Sequence, residues 1–185
     1  MTEELAVNFP RLQGELEDLS AIGRAPRGGL YRMAFTEEDR VARSWFLDRI
    51  REAGLEPHVD GAGNIHGRLG WDPDRPSVMT GSHLDTVPGA GHLDGALGVL
   101  CGLEALRTLK ESGASLGYPV EVVAFSDEEG RFGGMLGSQA LCGQLTPETI
   151  YQARDLDGVT LNDAMAECGL NAMDALRAQR SPDSL

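Results

Sequence analysis

The stretch PVEVVAF at residues 119–125 is almost wholly apolar, and SDEEG follows it directly at residues 126–130. A short apolar run bounded by polar residues reads as a strand buried on both faces, the kind found in the middle of an α/β sheet. Upstream, DGALGVLCGLEALRTL at residues 94–109 places Ala96, Val99, Leu100, Leu103, Leu106 and Leu109 on one wide helical stripe. Further upstream, SVMTGS at residues 77–82 reads as a short strand that delivers His83 at its end. Strand, loop, long helix and strand form a βαβ unit. Ligand sites in such sheets lie beyond the carboxyl ends of the strands. Two polar clusters, residues 83–94 and 126–129, fall there together. Gly98 and Gly102 cost the helix about 1 kcal/mol each relative to alanine. Their expected use is close approach of the helix to the sheet.

The flanking segments are less sharply marked. Leu12, Leu16 and Leu19 give residues 9–20 helical spacing. Thr36 and Asp39 make a capping box for a helix whose apolar face is expected at Val41, Trp45, Leu47, Ile50 and Ala53, closed by Gly54. LEPHVD and NIHGRLG read as two paired strands around a glycine turn. Beyond Gly143 the pattern predicts one helix near Pro147 and another capped by Thr160 or Asn162 and stopped by Gly169. The polar end, LRAQRSPDSL, reads as loose. There is no internal repeat.

Composition narrows the function. The 185 residues suffice for one domain with a hydrophobic core. The 24 glycines suit an α/β protein with many turns. A formal charge of -13 repels phosphate backbones and anionic membranes, which argues against nucleic-acid and membrane partners. Cys101, Cys142 and Cys168 are scattered and odd in number, so they read as buried or idle thiols. The N-terminus MTEELAVNFP has no apolar run, and no segment reaches membrane-span length. These features predict a soluble, cytoplasmic chain.

The candidate chemistry lies in GSHLDTVPGAGHLDG at residues 81–95, which contains His-Leu-Asp twice. His83 sits at a strand end, where a metal could reach it. Asp85 could steady its second ring nitrogen, as carboxylates commonly do for ligating imidazoles. Asp94, opening the next helix, could bridge two ions. His92 competes with His83 but lies in a glycine-rich loop that fixes it poorly. Glu128 and Glu129 aim at the same end of the sheet. Two adjacent carboxylates in a low-dielectric site need a cation or a shared proton. With a metal present, one can ligate and the other can take a proton from water; spacing alone does not say which. His58 and His66 belong to the hairpin, and no histidine follows His92, so two tetrahedral sites would be short of ligands.

Residues 81–109 resemble the first metal motif of the zinc-dependent amidohydrolases that cleave N-carbamoyl-L-amino acids, allantoate or β-ureidopropionate, within the M20 metallopeptidase-like superfamily. FSDEEGRFGGMLGS, residues 125–138, is similar to the second motif, and residues 28–69 are similar to the N-terminal segment. The resemblance implies a three-layer α/β/α zinc-exopeptidase-like domain whose sheet is incomplete. It implies His83 as a ligand of one metal, Asp85 as its partner, Asp94 as a bridge, Glu128 as general base and Glu129 as a ligand of the second metal. It gives His92 no ligand role. The implied cofactors are two divalent ions, zinc first, with manganese, cobalt or nickel compatible. The implied substrate is a small ureido or amide compound. Members of the family are longer: a histidine in an HIEQG-like motif, a last histidine, and a dimerising lid domain with a substrate-binding arginine are expected beyond residue 185. The chain therefore reads as the N-terminal portion of a homodimeric hydrolase that needs its C-terminal half for activity. Two other readings stand beside it: an M20-type peptidase or deacylase, and a catalytically dead binding or regulatory fragment.

Overall fold

A computed structural model describes residues 5–185. The first residues of the acidic N-terminus, 1–4, lie outside it. The order of elements is α1 (Phe9–Ala21), α2 (Glu37–Glu52), β1 (Glu56–Val59), β2 (Ile65–Leu69), β3 (Val78–His83), α3 (Ala96–Glu111), β4 (Val120–Phe125), α4 (Leu136–Leu141), α5 (Pro147–Gln152) and α6 (Leu161–Glu167). Two 3₁₀ turns, Ala172–Arg177 and Pro182–Ser184, close the chain. The four strands form one open sheet in the order β1-β2-β4-β3. β1, β2 and β4 pair antiparallel, whereas β3 and β4 pair parallel across the α3 crossover.

The apolar run 119–125 therefore occupies an interior place, as its composition predicts. Val122 and Ala124 face a core built with Phe46 and Ile50 of α2 and Leu100, Leu103 and Leu106 of α3; Leu12 and Leu19 of α1 complete it. The second core gathers Phe132, Leu136, Ile150, Leu161 and Met165 from the elements after β4. Helices thus cover both faces of the sheet. The glycines of α3 act as expected. A Cβ on Gly98 would lie 2.8 Å from Ser82 Cβ, and one on Gly102 would lie 2.8 Å from a Val122 methyl.

Several local expectations need correction. On α2 the expected Ile50 is fully buried and Trp45, Leu47 and Ala53 pack partly buried against the core, but Ala42 and Phe46 are the other buried apolar positions and Val41 is exposed. Packing on the sheet selects Phe46, which turns Val41 toward solvent. The capping box is only half made. Thr36 Oγ1 accepts from Asp39 N, but the Asp39 carboxylate turns back to accept from Phe35 N at 2.8 Å. That buried carboxyl is pushed up to about 6, chiefly by loss of water. α3 starts at Ala96, not Asp94, because Gly95 at φ 66° sets its first turn. α6 is capped by Thr160, whose hydroxyl accepts from Asp163 N at 3.0 Å. All three cysteines are free, and Cys101 and Cys142 are exposed, so of the two readings for those positions the idle one applies.

The C-terminal segment is not loose. Arg180 pairs with fully buried Glu121 on β4, and its other amino group donates to Ser184 O at 2.9 Å. Ser77 donates to the same carboxylate, and Arg68 approaches it at 3.4 Å. Burial works against ionising Glu121, but hydrogen bonds from His66, Ser77 and Arg180 outweigh it and hold the carboxyl down at about 2. A polar tail sequence could not reveal a carboxylate waiting on a strand 59 residues away. Among the described residues, no helix is long and apolar enough to cross a membrane. β3 forms an edge of the sheet, with Val78 exposed.

Candidate metal centre

The parallel pairing of β3 with β4 sets His83 opposite Phe125, so both strands end at the same level. The loops that follow them lie side by side. His83 Nε2 comes within 4.0 Å of Asp94 Oδ1 and 3.7 Å of Glu129 Oε1. One ligand atom from each of the three residues lies within 4.8 Å of the others. His83 and Glu129 are partly buried, whereas Asp94 is exposed. Gly95 permits this closeness. A Cβ there would stand 2.4 Å from His83 Nδ1, so only glycine lets the chain pass over the imidazole.

Asp85 does reach His83, but by its backbone. His83 Nδ1 lies 3.0 Å from the Asp85 carbonyl and 3.9 Å from its carboxylate. A carbonyl can only accept, so Nδ1 is the donor there, and in the neutral ring the lone pair of Nε2 faces Asp94 and Glu129. The Asp85 carboxylate has another task. It accepts Glu129 N at 3.0 Å and Glu128 N at 3.4 Å. It thereby pins the turn that presents both glutamates. Burial raises its pKa, against the pull of those N–H groups and of His83. Neighbouring Asp127, at φ 53°, is pushed up to about 7 by burial, although Phe132 N and Arg131 N donate to it.

The two glutamates diverge. Glu129 joins the cluster; Glu128 does not. Both Glu128 oxygens accept from Ser138 in the first turn of α4, at 2.9 Å from its N–H and 2.9 Å from its hydroxyl. The loop behind them is clamped by Asn64, which accepts Ser126 N at 3.0 Å and donates to Gly137 O at 3.1 Å. Sequence reading missed Ser138 and Asn64. The only signal for Ser138 is a serine where a helix begins. His92 is exposed and outside the cluster. His58 and His66 stay in the hairpin, with His66 3.5 Å from Asp60 and 3.3 Å from Glu121.

The donor set fits a divalent transition ion. One neutral imidazole nitrogen and two carboxylate oxygens are the ligand types of catalytic zinc sites, which leave positions open for water and substrate. Three residues make a partial site.

Comparison with known proteins agrees with this geometry. The model of peptidase family M28 matches residues 64–179. An N-carbamoyl-L-amino acid amidohydrolase of Geobacillus stearothermophilus is 44% identical over 95% of the chain and 43% of its own length. An allantoate amidohydrolase of Escherichia coli is 38% identical over 85% of the chain and 39% of its own length. The crystal structure of a hydantoinase/carbamoylase family amidase from Burkholderia ambifaria superposes with a TM-score of 0.87 at 39% identity, covering 96% of this chain and 44% of that one. The chain thus spans less than half the length of these relatives. The resemblance in the motifs pointed to M20, and the model that matches is M28. The chain belongs to peptidase family M28 and is homologous to the hydantoinase/carbamoylase amidohydrolases.

Proposed function

We propose that the chain carries the water-activating part of a metal-dependent hydrolase that cleaves ureido or carbamoyl C–N bonds. The observation that carries this reading is the convergence of His83 Nε2, Asp94 and Glu129. Those three residues would hold the metal, and Asp94 would be the one to serve a second ion. The bound ion would supply positive charge, which eases loss of a proton from water and favours negative charge on the attacked group.

The residues of the chain account for the rest. Glu128 takes the proton from the attacking water. Each carboxylate oxygen has two lone pairs, so acceptance from Ser138 leaves capacity for that proton. Ser138 also fixes the carboxylate, which keeps the base oriented between turnovers. Asp85 holds the Glu128–Glu129 turn through both N–H groups and holds the His83 tautomer through its carbonyl. As the C–N bond breaks, Glu128 returns the proton to the leaving nitrogen. With an N-carbamoyl amino acid the products are ammonia, carbon dioxide and the free amino acid. The relatives' greater length supports an activity completed by further chain, which would bring the remaining ligands and the dimer contact.

The peptidase reading rests on the family model and uses the same groups. Turnover of N-carbamoyl amino acids against dipeptides by a longer form separates the two. The metal assignment is tested on this chain by calorimetric zinc titration. Asp94→Asn should weaken binding roughly tenfold or more, since outer partners alone are worth that much. His92→Ala should leave it within about twofold. Equal losses would refute the site.

A further inference from the structure

We propose that a hollow beside Glu129 receives an aliphatic side chain of the substrate. The inference rests on the reaction proposed above and narrows its substrates to N-carbamoyl amino acids with apolar side chains. The hollow measures about 300 Å³ and includes Glu129, one of the three candidate ligands, in its wall. Met33, Val87, Pro88 and Leu156 supply its apolar lining. A pocket of that kind, apolar with a reactive group at its margin, suits a small organic ligand.

Leu156 is the informative residue. Its side chain is fully exposed. It sits on a turn that is nonetheless rigidly built. Asp155 Oδ1 accepts Asp157 N at 3.0 Å and Val159 N at 2.9 Å. Asp155 Oδ2 meets Arg131 at 3.0 Å, which ties the turn to the segment carrying Glu129. Val87 across the hollow is exposed as well. Two exposed branched side chains on fixed backbone leave apolar surface that a ligand can cover, with a gain set by the area removed from water.

The charges around the hollow disfavour an anionic occupant. Arg131 lines it, but its guanidinium is spent: Nη1 donates to Ala34 O at 2.7 Å, Nε donates to Asp155 at 3.1 Å, and the group stacks 4.8 Å from the Phe132 ring centre. Among the described residues that line it, no free cation remains for a second carboxylate, and Glu129 and Asp157 add negative charge.

The test uses the 185-residue chain with zinc, and N-carbamoyl-L-leucine and N-carbamoylglycine as probes, read by chemical-shift titration. The leucine compound should bind roughly tenfold tighter and shift the Val87 and Leu156 methyl signals. Leu156→Ser, at an exposed position, should keep the melting temperature and zinc affinity and bring the two probes within about twofold. Equal binding of the probes by the unaltered chain, or an undiminished preference in Leu156→Ser, overturns the subsite alone. Binding of neither probe by the zinc-loaded chain also overturns the subsite, whereas failure of the chain to take up zinc overturns the proposed function beneath it.

Discussion

Arg180→Ala tests the least expected feature of the fold, the anchoring of a polar tail on a buried carboxylate. Glu121 is fully buried at the centre of the sheet, and its carboxyl is held from 4.5 down to about 2. That displacement corresponds to about 3 kcal/mol of preference for the charged form. His66, Ser77 and Arg180 share it. Arg180 also lies 5.3 Å from the Trp71 ring centre, a contact worth about 0.5 kcal/mol at a partly exposed site. Taking a third to a half of the first figure and adding the second, the substitution should cost about 2 kcal/mol. In a chain of this size it should lower the melting temperature by roughly 4–8 °C.

Urea unfolding followed by the fluorescence of Trp71 and Trp45 measures this at pH 7. Arg177→Ala is the control: its pair with Asp174 spans 3.4 Å on the surface and should contribute under about 0.5 kcal/mol. The pH dependence has a definite sign. A carboxyl depressed in the folded state stabilises above its unfolded pKa and loses that contribution as pH falls toward the folded value. The gap between Arg180→Ala and the unaltered chain should therefore be widest above pH 4.5 and narrow as pH falls toward 2. A loss no larger than that of Arg177→Ala, or a gap that widens in acid, would falsify the anchoring argument.

Two further substitutions probe the site and its support. Glu129→Gln should release zinc, whereas Glu128→Gln should retain it, because only Glu129 joins the cluster; elemental analysis after dialysis decides, and the reverse pattern would exchange their roles. Gly102→Ala gains about 1 kcal/mol of helix propensity but drives a Cβ to within 2.8 Å of Val122. The net result should be a loss of about 1 kcal/mol on thermal unfolding, and unchanged or higher stability would show that α3 can lift from the sheet without cost.

The parts of this fold that were legible in the sequence are those where one period dominates. The run 119–125 has no polar face to hide, and α3 carries a full apolar stripe with glycines on the side toward the sheet. α2 was harder. Its stripe mixes Trp45, Leu47 and Phe46, three large apolar residues in succession, and neighbours in sequence cannot all face inward. Packing on the sheet chose Phe46, and Trp45 was left partly buried beneath Arg49, 5.5 Å from its ring centre. Elements of a single turn, such as α4, carry too few residues to show a period at all. The clamp of Arg180 on Glu121 depends on a contact between distant segments, which no local pattern encodes.

The candidate site divides along the same line. His83, Asp94 and the Glu128–Glu129 pair could be picked out because strand ends in a βαβ unit converge, and polar residues placed there have a reason to meet; only the family resemblance singled out Glu129. Their orientation could not be picked out. Whether Glu128 or Glu129 turns toward His83 is decided by groups outside the pair. The Asp85 carboxylate holds both backbone N–H groups, so the peptide planes are fixed before either side chain is placed. Ser138 then claims both oxygens of Glu128 from the far side of the loop. Among the described residues Glu129 has no such partner for its carboxylate, which lies beside Nε2. Asp85 can serve that turn because its own carbonyl has taken over the imidazole. A single aspartate thus sets the tautomer of the histidine with one group and the direction of the two glutamates with another, which ties the two halves of the site to one residue.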